Sequence, residues 1–229
     1  MIANENHRPK PSRASRSIPK KTKGSIVGQL TFGEEHGQGQ CLVFESKLER
    51  DVALVSIYAP GVVDIEDQVG PVHWVDATGK SRKHTFDFKV TTVRRSGKTE
   101  RVALVVKPER RAQTAKFRDQ IERVARSAVP TFADKVCIVT EANVCEKSLT
   151  RAIQLHGARI PVPEIDTMLG EISNIKSWTV IRDALSTVGL GPEGFGGILR
   201  LALLKRIVFE ADGLVTMSSR IRSREGGYV

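Results

Sequence analysis

Two apolar runs on either side of one glycine turn constrain this chain most. They are His84-Thr-Phe-Asp-Phe-Lys-Val90 and Arg101-Val-Ala-Leu-Val-Val-Lys107, separated by Arg95-Ser-Gly97. Glycine adopts the positive φ that a tight turn demands, so the pair predicts an antiparallel hairpin. The flanking segments fill in a sheet with helices on it. Leu48, Val52 and Val55 recur at helical spacing and predict a helix over Leu42–Tyr58, stopped by Ala59-Pro60-Gly61. Short strands are expected over Val62–Val69 and Val72–Val75, with a turn at Asp76-Ala-Thr-Gly79. Phe117, Ile121, Val124 and Ala128 share one face of a helix over Arg110–Ala128, and Lys135–Thr140 reads as a buried strand. Helix, antiparallel strands, helix, strand is the order of an α/β or α+β sheet.

Proline and charge divide the chain. Residues 1–24 hold Arg8, Lys10, Arg13, Arg16, Lys20, Lys21 and Lys23 among Pro and Ser, with almost nothing apolar. Such a segment cannot bury enough surface to fold alone, so a disordered basic tail is expected there. It serves either as a DNA-contacting arm or as a solubilising tail. Ile160-Pro-Val-Pro163 marks a boundary, because paired prolines resist both helix and central strand. The main domain is therefore placed at 25–159 and a second at 160–229. The second reads as helices over Glu164–Ile175, Thr179–Val188 and Glu193–Lys205. A hairpin of Ile207–Phe209 with Leu214–Met217 follows. Three helices and a hairpin describe a winged helix.

Lys and Arg number 36 against 26 Asp and Glu, a formal charge of +10, and the sequence pI is about 9.8. That balance favours a polyanionic partner, nucleic acid first. Cys41, Cys137 and Cys145 are odd in number, widely spaced and set among apolar neighbours, so buried thiols in a reducing cytosol are expected. No apolar run approaches the roughly 20 residues of a membrane span. No zinc spacing, Gly-rich phosphate loop or Gly-x-Ser-x-Gly elbow is present, so a nucleotide-hydrolysing activity has no support in the sequence.

The residues left for chemistry are an acid within the first strand, a lysine ending the second, and acids on the preceding helix. Hydrolysis of a phosphodiester needs an activated water, a neutralised phosphate and a stabilised leaving oxygen; a hard divalent cation on carboxylates supplies them. Each residue also has a plain structural reading. Asp87 suits the wet face of an amphipathic strand. Lys107 suits a strand terminus, its amine snorkelling to water. Glu45 and Glu49, four apart, suit a solvated helix face beside Lys47, Arg50 and Asp51.

Five segments in order resemble the TnsA family, the endonuclease subunits of heteromeric cut-and-paste transposases. They are Phe44–Asp51, Pro60–Gln68, His84–Asp87, Val106–Glu109 and Val139–Glu141, and the likeness spans roughly residues 28–158. The pattern after Pro161 is similar to that family's C-terminal domain. The resemblance implies a restriction-endonuclease-like mixed sheet flanked by helices, followed by a winged-helix domain. It implies Mg²⁺, with Mn²⁺ as a substitute, and nicking at the 5′ ends of a transposon in a bacterial cytoplasm. Implied partners are transposon-end DNA, a DDE-type transposase subunit and an AAA+ ATPase regulator. Carried over by motif, Glu49, Asp87 and Lys107 are the catalytic residues, and Glu49, Asp87 and the Val106 backbone carbonyl hold the metal. Gln68 matches a recurrent glutamine without an assigned role.

One position departs. The family carries Glu or Gln two residues before the lysine, and here that position is Val105. Three outcomes stay open. Asp87, Glu49 and the Val106 carbonyl hold the metal with extra water; Glu45 or Glu109 substitutes; or the chain is a weakened DNA-binding and assembly module. An autonomous resolvase-like nuclease is a further alternative. In the second domain Arg200, Lys205, Arg206, Arg220, Arg222 and Arg224 serve either DNA contact or protein docking.

Overall fold

The computed structural model of the chain describes residues 8–17, 26–34 and 37–224. It is a mixed α/β structure in two compact units, Lys10–Thr31 with Gln40–Cys145, and Met1–Pro9 with Phe32–Gly39 and Glu146–Val229. The division falls before the helix Glu146–Ala158, earlier than the paired prolines suggested.

In the first unit a small sheet pairs β1 (Gly28–Phe32) with β2 (Gln40–Phe44). Helix α1 (Lys47–Ile57) follows, then β3 (Val62–Val75), β4 (Ser81–Val93) and β5 (Thr99–Val106). Helices α2 (Glu109–Ala112) and α3 (Ala115–Ala128) lead to β6 (Lys135–Val139). The main sheet has the order β3-β4-β5-β6, antiparallel up to β5 and parallel between β5 and β6. The β4–β5 turn uses glycine as expected: Gly97 sits at φ +78° and donates to the Arg94 carbonyl at 2.9 Å.

Several expectations shift for local reasons. The helix starts at Lys47 rather than Leu42. Ser46 caps it, its hydroxyl accepting from the Glu49 N–H at 3.1 Å, and the apolar run before that cap pairs as a strand. The two short strands before Asp76 are one long strand, with a register shift between Val69 and Val72. Within it Gln68 lies at φ +46°. A non-glycine residue held there costs on the order of 1–3 kcal/mol.

Helix α3 packs on the sheet through Phe117, Ile121 and Val124, which join Phe86, Ala103, Val105, Val72 and Trp74 in one buried cluster. Leu104 and Val106 alternate to the other face of β5. Lys116, Arg118, Arg123 and Arg126 stay on the wet side of α3, where Arg123 and Arg126 pair with Asp119 and Glu122 one turn back. The cysteine reading does not hold. Cys137 and Cys145 are exposed and Cys41 is half-buried. β6 ends the sheet order, so its apolar composition does not bring burial on both faces.

The expected free tail is in part a docked segment. Arg13 grips Asp64 with two nitrogens at 2.5 and 3.0 Å and also donates to the Ile65 carbonyl at 2.7 Å. The Ser12 hydroxyl donates to Asp67 at 2.6 Å, and Ser15 gives both its N–H and its hydroxyl to the Gln68 carbonyl. Polar bonds to β3 do what apolar burial could not. Lys20, Lys21 and Lys23 lie outside the described residues.

The second unit contains α4 (Glu146–Ala158), α5 (Pro163–Met168), α6 (Ile181–Thr187) and α7 (Phe195–Leu203). They accompany a three-stranded sheet of order β7-β9-β8, from Thr179–Val180, Arg220–Ser223 and Ile207–Phe209. Leu169, Ile172, Ile181, Leu185, Ile198 and Ile221 are buried in its core. The strand opposite Ile207–Phe209 is Arg220–Ser223, not Leu214–Met217. Val215 already has both backbone groups bonded by the Gln154 carboxamide of α4, at 2.8 Å each, so that stretch has no need of a strand partner. Among the described residues no helix is long and apolar enough to cross a membrane.

The α3 cluster yields a direct test. Ile121→Ala should lower stability by about 2–5 kcal/mol, the range for truncating a buried isoleucine. Urea unfolding followed through the first unit measures it, and a loss below about 1 kcal/mol would mean that α3 does not close the core.

Candidate active site

The site lies where the β4–β5 ladder stops. Pairing runs from Val93–Thr99 to Phe88–Leu104 and goes no further. One residue on, the Asp87 side chain takes over. Its Oδ2 accepts from the Val106 backbone N–H at 2.7 Å, so a carboxylate satisfies a donor that the ladder leaves. The same oxygen accepts from Lys107 Nζ at 3.1 Å, and that amine also donates to the Val106 carbonyl at 2.8 Å. Asp87 is 7 % exposed, so it is an inward carboxylate with defined partners rather than the wet-face residue of the plain reading.

Glu49 reaches this pair from α1. It stands in the third position of the helix, and its Oε2 accepts from the Glu45 N–H at 2.7 Å while its own N–H is capped by Ser46. That is close to a capping box, which would by itself account for a glutamate here. The electrostatics add more. Burial pushes the Glu49 carboxyl above its ordinary value, and the charge of Asp87 pushes it further; the Glu45 N–H and the charge of Lys107 oppose them. A buried acid whose proton affinity is raised by a neighbouring carboxylate favours a nearby positive charge. Glu49, Asp87 and Lys107, distant in sequence, thus act within one electrostatic field.

Two further groups face it. Arg16, from the docked N-terminal segment, grips Glu45 with two nitrogens at 2.9 and 2.7 Å. That bond, with the charges of Glu45, Asp87 and Glu49, keeps its guanidinium above the usual value. In sequence Arg16 reads only as part of a DNA-contacting arm or solubilising tail, since nothing local ties residue 16 to residue 45. His84 packs edge-on to Phe86 with ring centroids 4.7 Å apart. Burial lowers its pKa, Lys107 adds to the effect and Asp87 opposes it, so the imidazole is biased to neutral.

The alternatives raised by Val105 can now be sorted. Val105 is 1 % exposed and belongs to the α3 cluster, so it contributes packing and no donor. The Glu45 carboxylate is held by Arg16. Glu109 opens α2, accepts from Gln113 Nε2 at 2.6 Å, and is held below its ordinary pKa by hydrogen bonds from Thr140 and Gln113. Neither acid is free to substitute as it stands. Among the described residues no group of three or more His, Cys, Asp or Glu side chains is arranged for a metal ion. The remaining donors, Glu49, Asp87 and the Val106 carbonyl, are all hard oxygens. They suit Mg²⁺, which is held by one or two carboxylates and keeps several waters. The fit is right in chemistry and short in number, and the Lys107 ammonium occupies two of the three donors.

The basic residues of the second unit divide. Arg200 is 6 % exposed, bonded to Asp166 at 2.8 Å and to the Ala158 carbonyl at 3.2 Å, and so is a structural tie rather than a DNA contact. Lys205 and Arg206 are exposed. Arg220 and Arg222 lie on β9 itself, with Arg222 stacked 4.9 Å from the Trp178 ring, and Arg224 follows the strand.

No protein-family model matches the chain, and no curated protein sequence matches it.

Coupling within the site is measurable. In Asp87→Asn the Glu49 pKa should fall, since the charge of Asp87 is, after burial, the next largest cause that raises it. Carboxyl-carbon NMR titration reads it, and an unchanged Glu49 would separate the two residues. A raised acid has a definite stability sign. The folded state holds the proton more tightly, so stability falls as pH rises from about 4.5 through the folded pKa. Glu49→Gln should therefore gain on wild type across that window, and urea midpoints at several pH values show whether it does.

Proposed function

We propose that this chain is a metal-dependent DNA endonuclease of the TnsA type, nicking the 5′ ends of a transposon inside a larger assembly. One observation carries the reading: Asp87 and Lys107 are in direct contact, and Glu49 lies in their field, from β4, the end of β5 and α1. The mixed sheet that holds them is consistent with a restriction-endonuclease-like core. The helices and three-stranded sheet of the second unit are consistent with a winged helix, bearing Arg220, Arg222 and Arg224 toward DNA or a protein partner. The formal charge of +10 fits a polyanionic substrate.

In this reading Mg²⁺, when bound, activates water and neutralises the phosphate. The protein supplies the rest. Asp87 is fixed in place by the Val106 N–H, so one of its oxygens does not wander. Glu49 is fixed by the Glu45 N–H. The Lys107 ammonium is positioned against charge that develops as the phosphodiester opens. Arg16 places a second cation beside the carboxylates, which lowers the repulsion a phosphate would meet there. The partners are transposon-end DNA, a DDE-type transposase that cuts and joins the 3′ ends, and an AAA+ ATPase regulator.

A second reading has its own support. Val105 is buried as packing, and Lys107 bonds two of the three metal donors. A weakened module, holding DNA or partners without cutting, has these features too.

End cleavage in the reconstituted assembly separates the two readings. Asp87→Ala and Lys107→Ala should each reduce 5′ nicking by about 100-fold or more while partner assembly is retained. Nicking by either variant at the wild-type rate contradicts the endonuclease.

A further inference from the structure

Gln68 concentrates three costs on one residue. It is 0 % exposed, both polar atoms of its carboxamide lack a partner among the described residues, and its backbone sits at φ +46°. Buried polar atoms are ordinarily bonded, and a non-glycine residue in the left-handed region is ordinarily avoided. Outliers of this kind persist where the surroundings enforce them and cluster at functional sites. Here the surroundings are identifiable. Ser15 fixes the Gln68 carbonyl with two hydrogen bonds, at 3.0 Å from its N–H and 2.6 Å from its hydroxyl. On the preceding residue, Asp67 Oδ2 accepts from the Val43 N–H and the Ser12 hydroxyl. The docked segment thus clamps the kink from outside while the carboxamide is left unpaired inside.

The register says where. Asp67 pairs with Phe88 and Val69 with Phe86, so Gln68 and Asp87 lie between the same two cross-strand pairs of β3 and β4. Residues bracketed in this way are close in backbone across the ladder. The strained glutamine and the ladder-ending aspartate are therefore cross-strand neighbours. The site has two carboxylates and one carbonyl, fewer donors than a cation takes from protein and water together. The Gln68 amide oxygen is a hard donor of the right kind, carried by the residue across the ladder from Asp87 and without a partner among the described residues.

We propose that the Gln68 carboxamide oxygen is a further donor to the cation site of Asp87 and Glu49, directly or through one water. This rests on the metal-dependent reading above. It gives the arm residues Ser12 and Ser15 a positioning role, because they hold the backbone from which that oxygen is presented.

Mn²⁺ titration of the full chain, with free ion read by electron paramagnetic resonance, tests it alongside metal-free melting temperatures. Wild type should bind and Asp87→Asn should not. Gln68→Met, close in shape but without the amide, should bind about tenfold or more weakly. Its metal-free melting temperature should hold or rise, because an unpaired buried amide has been removed. Gln68→Glu should bind more tightly and melt lower without metal. Binding by Gln68→Met within twofold of wild type, with Asp87→Asn inactive, overturns the proposal and leaves the metal site standing. A drop of several degrees in metal-free Gln68→Met also overturns it, since the amide then has an ordinary structural partner such as a buried water. Absence of saturable binding in wild type overturns both the proposal and the metal-dependent reading.

Discussion

The hydrogen bond from the Val106 N–H to Asp87 Oδ2, 2.7 Å long, is the interaction on which the rest turns. A sheet ladder normally satisfies its own donors. Here the ladder ends at Phe88, and a side-chain carboxylate substitutes for the missing backbone acceptor. That exchange holds a charged oxygen in a nearly buried place with an exact partner. It also turns the adjacent Lys107 back toward the acid, and the amine closes on the Val106 carbonyl. An opening between two strands becomes a place where a carboxylate, an ammonium and a carbonyl meet. Buried charge of this kind is costly unless paired, so the arrangement is a commitment of the fold to local polarity.

The sheet could carry that commitment because its other face is apolar. Phe86, Ala103 and Val105 join α3 in a dry cluster. Val105 belongs to that cluster, which explains in packing terms why an apolar residue stands two positions before the lysine. A carboxylate there would lose its solvation among Phe117, Ile121 and Val124. The apolar character of residue 105 and the integrity of the α3 core therefore have one origin.

What the sequence revealed follows the reach of its signals. The β4–β5 hairpin and the α3 face were legible, because turn chemistry and helical period act over a few residues. Asp87, Lys107 and Glu49 were legible as a set only through the ordered motifs they sit in. The start of α1 was misplaced because Gln40–Phe44 is apolar enough for either element, and the Ser46 cap decides between them. The second strand of the C-terminal hairpin was misplaced because Gln154, some sixty residues away, satisfies the Val215 backbone. The docking of Ser12, Arg13, Ser15 and Arg16 left no trace in local pattern. Each bond joins residues 29 to 55 positions apart, and a polar segment reads as a tail when its partners are that remote.

If those polar bonds are what place Arg16 and the Gln68 kink beside the acids, the N-terminal segment belongs to the site rather than to the solvent. In the proposed reading Glu49, Asp87 and the Val106 carbonyl would hold one cation, and Lys107 would release the two donors it now bonds. Crystals of the full chain grown with Mn²⁺ and measured at the manganese absorption edge test this most directly. The account predicts an anomalous peak within coordination distance of Asp87 and Glu49, with the Lys107 amine moved off the Val106 carbonyl. No peak there at saturating Mn²⁺, with Lys107 still bonded to Asp87 and Val106, would contradict it.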